Sequence, residues 1–168
     1  MPPEMKFEPP IIREVHLNLV DPGLVLGKTL VPKELKFGFL SDAYFVGKNS
    51  LEFIATFRID FLKANDKIPS LLETTYLSQI KIPEQNWEGK EQISLEKNFV
   101  AHLLGMSILM IRGAIKIRLG ENSLSAINFP IINPSKSLES RLKEVDGEFI
   151  IPSVQLRMET KTTTQNFE

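Results

Sequence analysis

An α+β fold, a four-stranded antiparallel sheet with a long helix and a second shorter helix packed on one face, is predicted from three features of the chain. Two segments, Leu51–Leu62 and Leu71–Ile82, alternate apolar and polar residues with the period of two that marks a strand. In the clearer of the two, Leu51–Leu62, one face is apolar and the other mostly polar, as in an antiparallel sheet wetted on one side. From about Asn98 the apolar period changes from two to 3.6, the signature of a helix.

The elements follow in order. Residues 1–10 carry four prolines and read as an extended lead-in. Ile11–Val20 reads as the first strand, with Val15, Leu17 and Leu19 opposing His16, Asn18 and Val20. Asp21-Pro22-Gly23 is a turn that stops it, and Leu24–Pro32 reads equally as a short strand or a loop. Leu35–Val46 is the second strand, with Phe37 and Phe39 on one side. Ser41 and Asp42 interrupt its alternation, so a bulge or bend is expected there. Gly47-Lys48-Asn49-Ser50 is a turn.

In the third strand Leu51, Phe53, Ala55, Phe57, Ile59 and Phe61 share the apolar face. Ala64-Asn65-Asp66-Lys67 turns the chain into the fourth strand, where Leu72, Thr74, Tyr76, Ser78, Ile80 and Ile82 share a face until Pro83. Glu84–Leu95 is polar, carries the lone Trp87, and reads as a crossing loop. Pro134–Glu144 is the second helix, with Ser135 as cap, Leu138 and Leu142 stacked four apart, and Gly147 as the stop. Glu148–Leu156 reads as an added short strand and Lys161–Asn166 as a disordered tail. The whole is a single domain, 1–168, with its core in about 11–144 and an extra C-terminal segment in 145–168.

On a helical wheel, Phe99, Leu103, Met106, Met110, Ala114 and Ile117 form one apolar stripe. Val100, Leu104, Ile108, Ile111, Ile115 and Leu119 form a second beside it. His102, Arg112 and Lys116 fill the remaining arc with Gly105 and Gly113. One stripe suffices to cover a sheet. Leaving the other in water would forgo on the order of 10 kcal/mol, since each Leu or Ile is worth about 1.5–3 kcal/mol when buried. The cover of that stripe is the second helix with its loop, a subunit or a bound ligand, and a subunit interface is expected on Val100, Leu104, Ile108, Ile111 and Ile115.

Composition narrows the function. The net charge of −1 comes from scattered, balanced charges, without the basic stripe that nucleic acid requires. No cysteine is present, so disulfides and thiolate metal sites are excluded. Met1-Pro2-Pro3-Glu4 has neither the basic nor the apolar region of a signal peptide, and the expected location is cytoplasmic. The longest apolar run, about Leu103–Ile111, is shorter than a membrane span requires. Gly27-Lys28-Thr29 lacks the upstream glycine of a phosphate loop, since Pro22 stands there. Gly105-Met106-Ser107 has Leu109 where a nucleophile elbow needs its second glycine. His16 and His102 have no metal-ligand spacing, and Glu84, Glu88 and Glu91 read as a solvated loop face. No catalytic residue, metal or cofactor is expected.

The residues resemble one family. From Ile11 to Leu142 the order of elements is that of the SecB-type export chaperones. Ile108-Leu109-Met110-Ile111-Arg112 is similar to the family's apolar stretch ending in arginine. From Arg112 the spacing to Asn128 and to Ile132-Asn133 follows the family's asparagine, apolar-Pro stretch and apolar-Asn pair. Leu51-Glu52-Phe53 and Leu71-Leu72-Glu73 fit the starts of its third and fourth strands.

This resemblance implies an ATP-independent holdase for unfolded preproteins in protein export. It implies a homotetramer, a dimer of dimers packed through the long helices, and transfer of clients to a SecA-type motor. The implied client groove holds Tyr76, Ile80, Ile82, Trp87, Met106, Met110 and Phe129, and the implied motor-docking face Leu71 and Glu73. The chain departs from the family in three respects. It is nearly neutral rather than acidic, it has His16, Asn18 and Val20 near expected acidic positions, and it lacks a cysteine-bearing zinc tail. The alternatives are a SecB-like chaperone dedicated to one client, such as an antitoxin, and a non-enzymatic assembly domain.

Overall fold

The computed structural model describes residues 8–20, 32–62 and 70–154. The turns expected at Asp21–Gly23 and Ala64–Lys67, the segment Gly27–Thr29 and the tail after Val154 lie outside them. Four strands, β1 (Ile11–Leu19), β2 (Leu35–Val46), β3 (Ser50–Phe61) and β4 (Leu72–Lys81), form an antiparallel sheet in the order β1-β4-β3-β2. A long helix, α1 (Lys97–Leu119), and a short one, α2 (Pro134–Glu139), cover its inner face. A second sheet, absent from the sequence-based expectation, joins β5 (Gln92–Glu96), β7 (Glu148–Pro152) and β6 (Lys143–Val145) in the order β5-β7-β6.

The period of two predicted the faces of β3 and β4 correctly. Leu51, Phe53, Ala55, Phe57, Ile59 and Phe61 are buried, as are Leu72, Thr74, Tyr76, Ser78, Ile80 and Ile82. β1 departs from its pattern. Its register on β4 shifts between Glu14 and His16, leaving Val15 as the extra residue of a bulge, exposed to solvent.

No bulge occurs at Ser41 and Asp42. β2 pairs with β3 in unbroken register from Leu35↔Phe61 to Val46↔Ser50. Ser41 keeps to the inner face, fully buried, and shares a hydrogen bond with the Ser137 hydroxyl of α2. Ser78 does the same beneath α1: its hydroxyl donates to Ser107 Oγ at 2.7 Å, and Ser107 donates to Leu103 O at 3.1 Å. Small residues in mid-sheet thus admit the helices, and their hydroxyls satisfy one another. Ser107→Ala is expected to cost about 1–3 kcal/mol by stranding the Ser78 hydroxyl. Adding Ser78→Ala should recover part of that loss; urea unfolding of both variants measures it.

α1 begins where the Glu96 side chain accepts from Asn98 N at 3.2 Å, and it ends at Gly120. Lys97 opposes the dipole at this end, but it pairs with Glu139 at 2.7 Å and Glu144 at 2.8 Å. The hydrogen bonds that it donates to Glu139, then to Glu144, hold its ammonium above the ordinary lysine range, and Lys97 in turn lowers Glu139. Among the described residues α1 is the one helix long and apolar enough, by length and composition, to cross a membrane. Its buried stripe against the sheet is what a core helix of that length requires.

The second helix is shorter than expected and is capped differently. Asn133 accepts from Lys136 N at 3.1 Å, with Pro134 in the first turn, while Ser135 bonds Glu139. Gly147 does not end it. Asp146 and Gly147, at φ 51° and 80°, form the two-residue turn between β6 and β7, where both positions require positive φ. β7 then sends Phe149 and Ile151 into the core, both fully buried. The end of the expected crossing loop is β5, in which Ile93 is buried between exposed Gln92 and Ser94.

Candidate functional site

The rotation of α1 about its axis decides which apolar residues remain available. Ser107 pins the helix to β4. The chain after α1 then runs back along it. Lys116 Nζ donates to Ser125 O at 2.8 Å and Ile127 O at 3.1 Å, and Arg112 Nη2 donates to Phe129 O at 3.0 Å. A Cβ on Gly105 would lie in ordinary contact with the Pro134 ring, at 3.6 Å, so the start of α2 packs beside this turn of the helix. The side of the polar arc that carries Gly105, Arg112 and Lys116 is therefore met by this returning loop and the start of α2, while His102 and Gly113 stay exposed.

The consequence is a correction to the expected interface. Val100, Leu104, Ile108, Ile111 and Ile115 are buried within the chain and are not available to a second subunit. Of the other stripe, Leu103 is buried, and Phe99, Met106 and Ala114 are half-buried. The open face carries Leu109 (70 % exposed), Met110 (38 %) and Ile117 (84 %), with Gly113 and His102 among them. Ile131 on the returning loop is 96 % exposed. The wheel shows the amount of surplus apolar surface but not its direction, because the covering loop is distant in sequence from the residues that it covers.

The same loop closes an aromatic cluster at the β2 edge. Phe129 meets Phe37 and Phe57 edge-on, with centroids 6.4 and 6.1 Å apart, and Phe39 meets Phe57 at 4.8 Å. A small, partly open pocket of about 50 Å³ lies among Phe37, Phe39, Phe57, Phe129, Pro130 and Ile132.

The residues expected to form one client groove are not brought together. Ile80 and Ile82 are core residues. Trp87 is buried edge-on against Phe45 at 5.8 Å, at the opposite end of β2 from Phe37. It floors a half-open cavity of about 580 Å³ rimmed by Lys48, Glu88, Lys90 and Glu91. Met106 and Met110 lie on the outer part of α1, and Phe129 in the aromatic cluster. Of the expected motor-docking pair, Leu71 is buried and presents no surface. Glu73 is on the outer face of the sheet, 3.5 Å from Arg58 and 3.7 Å from His16.

Tyr76 is buried beneath β1. Its hydroxyl donates to Glu14 Oε2 at 3.2 Å, and Arg118 Nε lies 3.6 Å from the same oxygen. Burial, then the Glu14 charge, pushes the phenol up to about 12. The unfolded phenol ionises near pH 10, so at high pH the unfolded chain loses this proton first. The contribution is full below about pH 10 and is lost as the pH rises toward about 12. Wild type is expected to lose stability across that window more steeply than Tyr76→Phe, as denaturant midpoints would measure.

No family model matches this sequence. No curated protein matches it either. Among the described residues, no three His, Asp or Glu side chains converge as metal ligands would. What distinguishes the molecule is an exposed apolar strip along α1 and its returning loop, beside an aromatic cleft.

Proposed function

We propose that this chain is an ATP-independent holdase of the SecB type, which keeps polypeptides, including preproteins awaiting export, unfolded in the cytoplasm. The observation that carries the reading is the exposure of Leu109, Met110, Ile117 and Ile131 on one helix and the loop beside it. Surface of this kind binds apolar segments of varied sequence or a second copy of the chain. The resemblance in element order and in the Ile108–Asn133 spacing supports the same reading.

Two neighbouring surfaces have separate roles in this proposal. Leu109 and the loop from Phe129 to Ile132 take the client. The shoulder with Met106, Met110, Gly113 and Ile117 takes a second copy of the chain, because nothing meets a Cβ at Gly113 and another helix can approach closely there. The assembled form is the homotetramer that the resemblance implies. Delivery to a SecA-type motor would have to use a surface other than Leu71.

The test is aggregation of several unrelated unfolded proteins with the chain at stoichiometric amounts. Suppression across clients is expected. If none remains soluble, the holdase reading fails; if only one does, the reading becomes that of a chaperone dedicated to a single client.

A further inference from the structure

We propose that Phe129 is an internal plug, occupying an aromatic pocket that an aromatic side chain of an extended client segment takes when the 127–133 loop lifts. This deepens the holdase reading and rests on it for its consequence, but the plug itself is a property of the fold.

Four observations converge. The pocket walls, Phe37, Phe57 and the neighbouring Phe39, belong to the rigid sheet, whereas Phe129 comes from a segment without helix or strand. Phe129 is buried edge-on against Phe37 and Phe57, and a partly open pocket of about 50 Å³ lies beside it. The loop is extended where it begins, at Ile127 (φ −85°, ψ 130°), and where it ends, at Asn133 (φ −89°, ψ 108°), so its ends have the geometry of an extended peptide. Among the described residues, no main-chain hydrogen bond joins residues 128–132 to another segment.

What holds the plug is a pair of long cationic side chains. Arg112 bonds the carbonyl of Phe129 itself, and Lys116 bonds those of Ser125 and Ile127. Hydrogen bonds of this kind are individually modest, so the loop can open without unfolding the sheet or α1. Opening exposes three phenylalanine edges and faces at once, beside the already exposed Ile131. An aromatic side chain on an extended strand is the occupant that fits, because Phe129 is itself that group. While the plug is seated, the apparent affinity for a client is reduced by the fraction of molecules that are open.

The experiment compares wild type, the double variant Arg112→Gln/Lys116→Met, and Phe129→Ala. The probes are the dye ANS and two fluorescein-labelled unstructured twelve-residue peptides, one with a central Phe and one with Ser in its place. The double variant is expected to bind more ANS and to bind the Phe peptide on the order of tenfold more tightly, with the Ser peptide unchanged. Phe129→Ala should do the same if it folds; if it does not, the double variant decides. Unchanged ANS binding in the double variant overturns the plug. More ANS without tighter Phe-peptide binding overturns the competition with clients. Wild type that rescues no aggregating protein, with the ANS gain intact, removes the holdase reading and leaves the plug standing.

Discussion

Ile111→Asp is expected to abolish cooperative unfolding of this chain, whereas Ile117→Asp on the same helix is expected to leave unfolding cooperative. Ile111 is fully buried against the sheet and Ile117 is 84 % exposed. At Ile111 the substitution removes a buried side chain and places a carboxylate in its pocket without a partner. A loss of about 4–5 kcal/mol or more follows, against the roughly 5–15 kcal/mol that holds a domain of this kind together. At Ile117 of the single chain the new charge meets water, and the change in its own stability is within about 0.5 kcal/mol. Its effect is on association instead: light scattering should show a smaller particle if the outer shoulder of α1 binds a second copy. A wild-type melt from Ile111→Asp would show that the helix is rotated differently from the description above.

Phe149→Ala is expected to cost about 3–5 kcal/mol, as large as any truncation in the main core. Phe149 is fully buried, it is reached by Lys97 Nζ 5.7 Å from the ring centroid, and it sits on the strand that holds β5 and β6 together. Lys97 N also bonds Gly147 O at 3.0 Å, so the hairpin fastens the first turn of α1. Leu109→Ala, at an exposed position, should be nearly silent in the same urea titration and serves as the control. A small loss from Phe149→Ala would mean that the C-terminal hairpin is an appendage rather than part of the core. That was the expectation for residues 145–168, and the burial of Phe149 and Ile151 is the reason to replace it for the described part of that segment.

The hairpin also marks a signal that could have been found. Val145-Asp146-Gly147-Glu148 has the Asp-Gly pair of a two-residue turn, and Phe149 and Ile151 alternate after it. Gly147 equally suits the stop of a preceding helix, which masks the turn. Gln92-Ile93-Ser94-Leu95-Glu96 likewise alternates, but five residues in a polar stretch carry a weak signal without their partner β7. Ser41 gave no signal: a buried serine and an exposed one look the same until Ser137 is brought opposite.

The sequence by itself determined the four strands to within about a residue at each end, the inward faces of β3 and β4, the place of the long helix, and the surplus of apolar surface on it. Each is set by the spacing of residues within one element, where backbone geometry fixes the period. Only the tertiary structure decided which stripe of α1 meets the sheet, that Tyr76, Ile80, Ile82 and Trp87 pack inside, and that Phe129 closes an aromatic cleft. These depend on Ser78 beneath Ser107 and on Arg112 and Lys116 drawing the returning loop along the helix. Such contacts join residues far apart in the chain, and a period within one element carries no record of them.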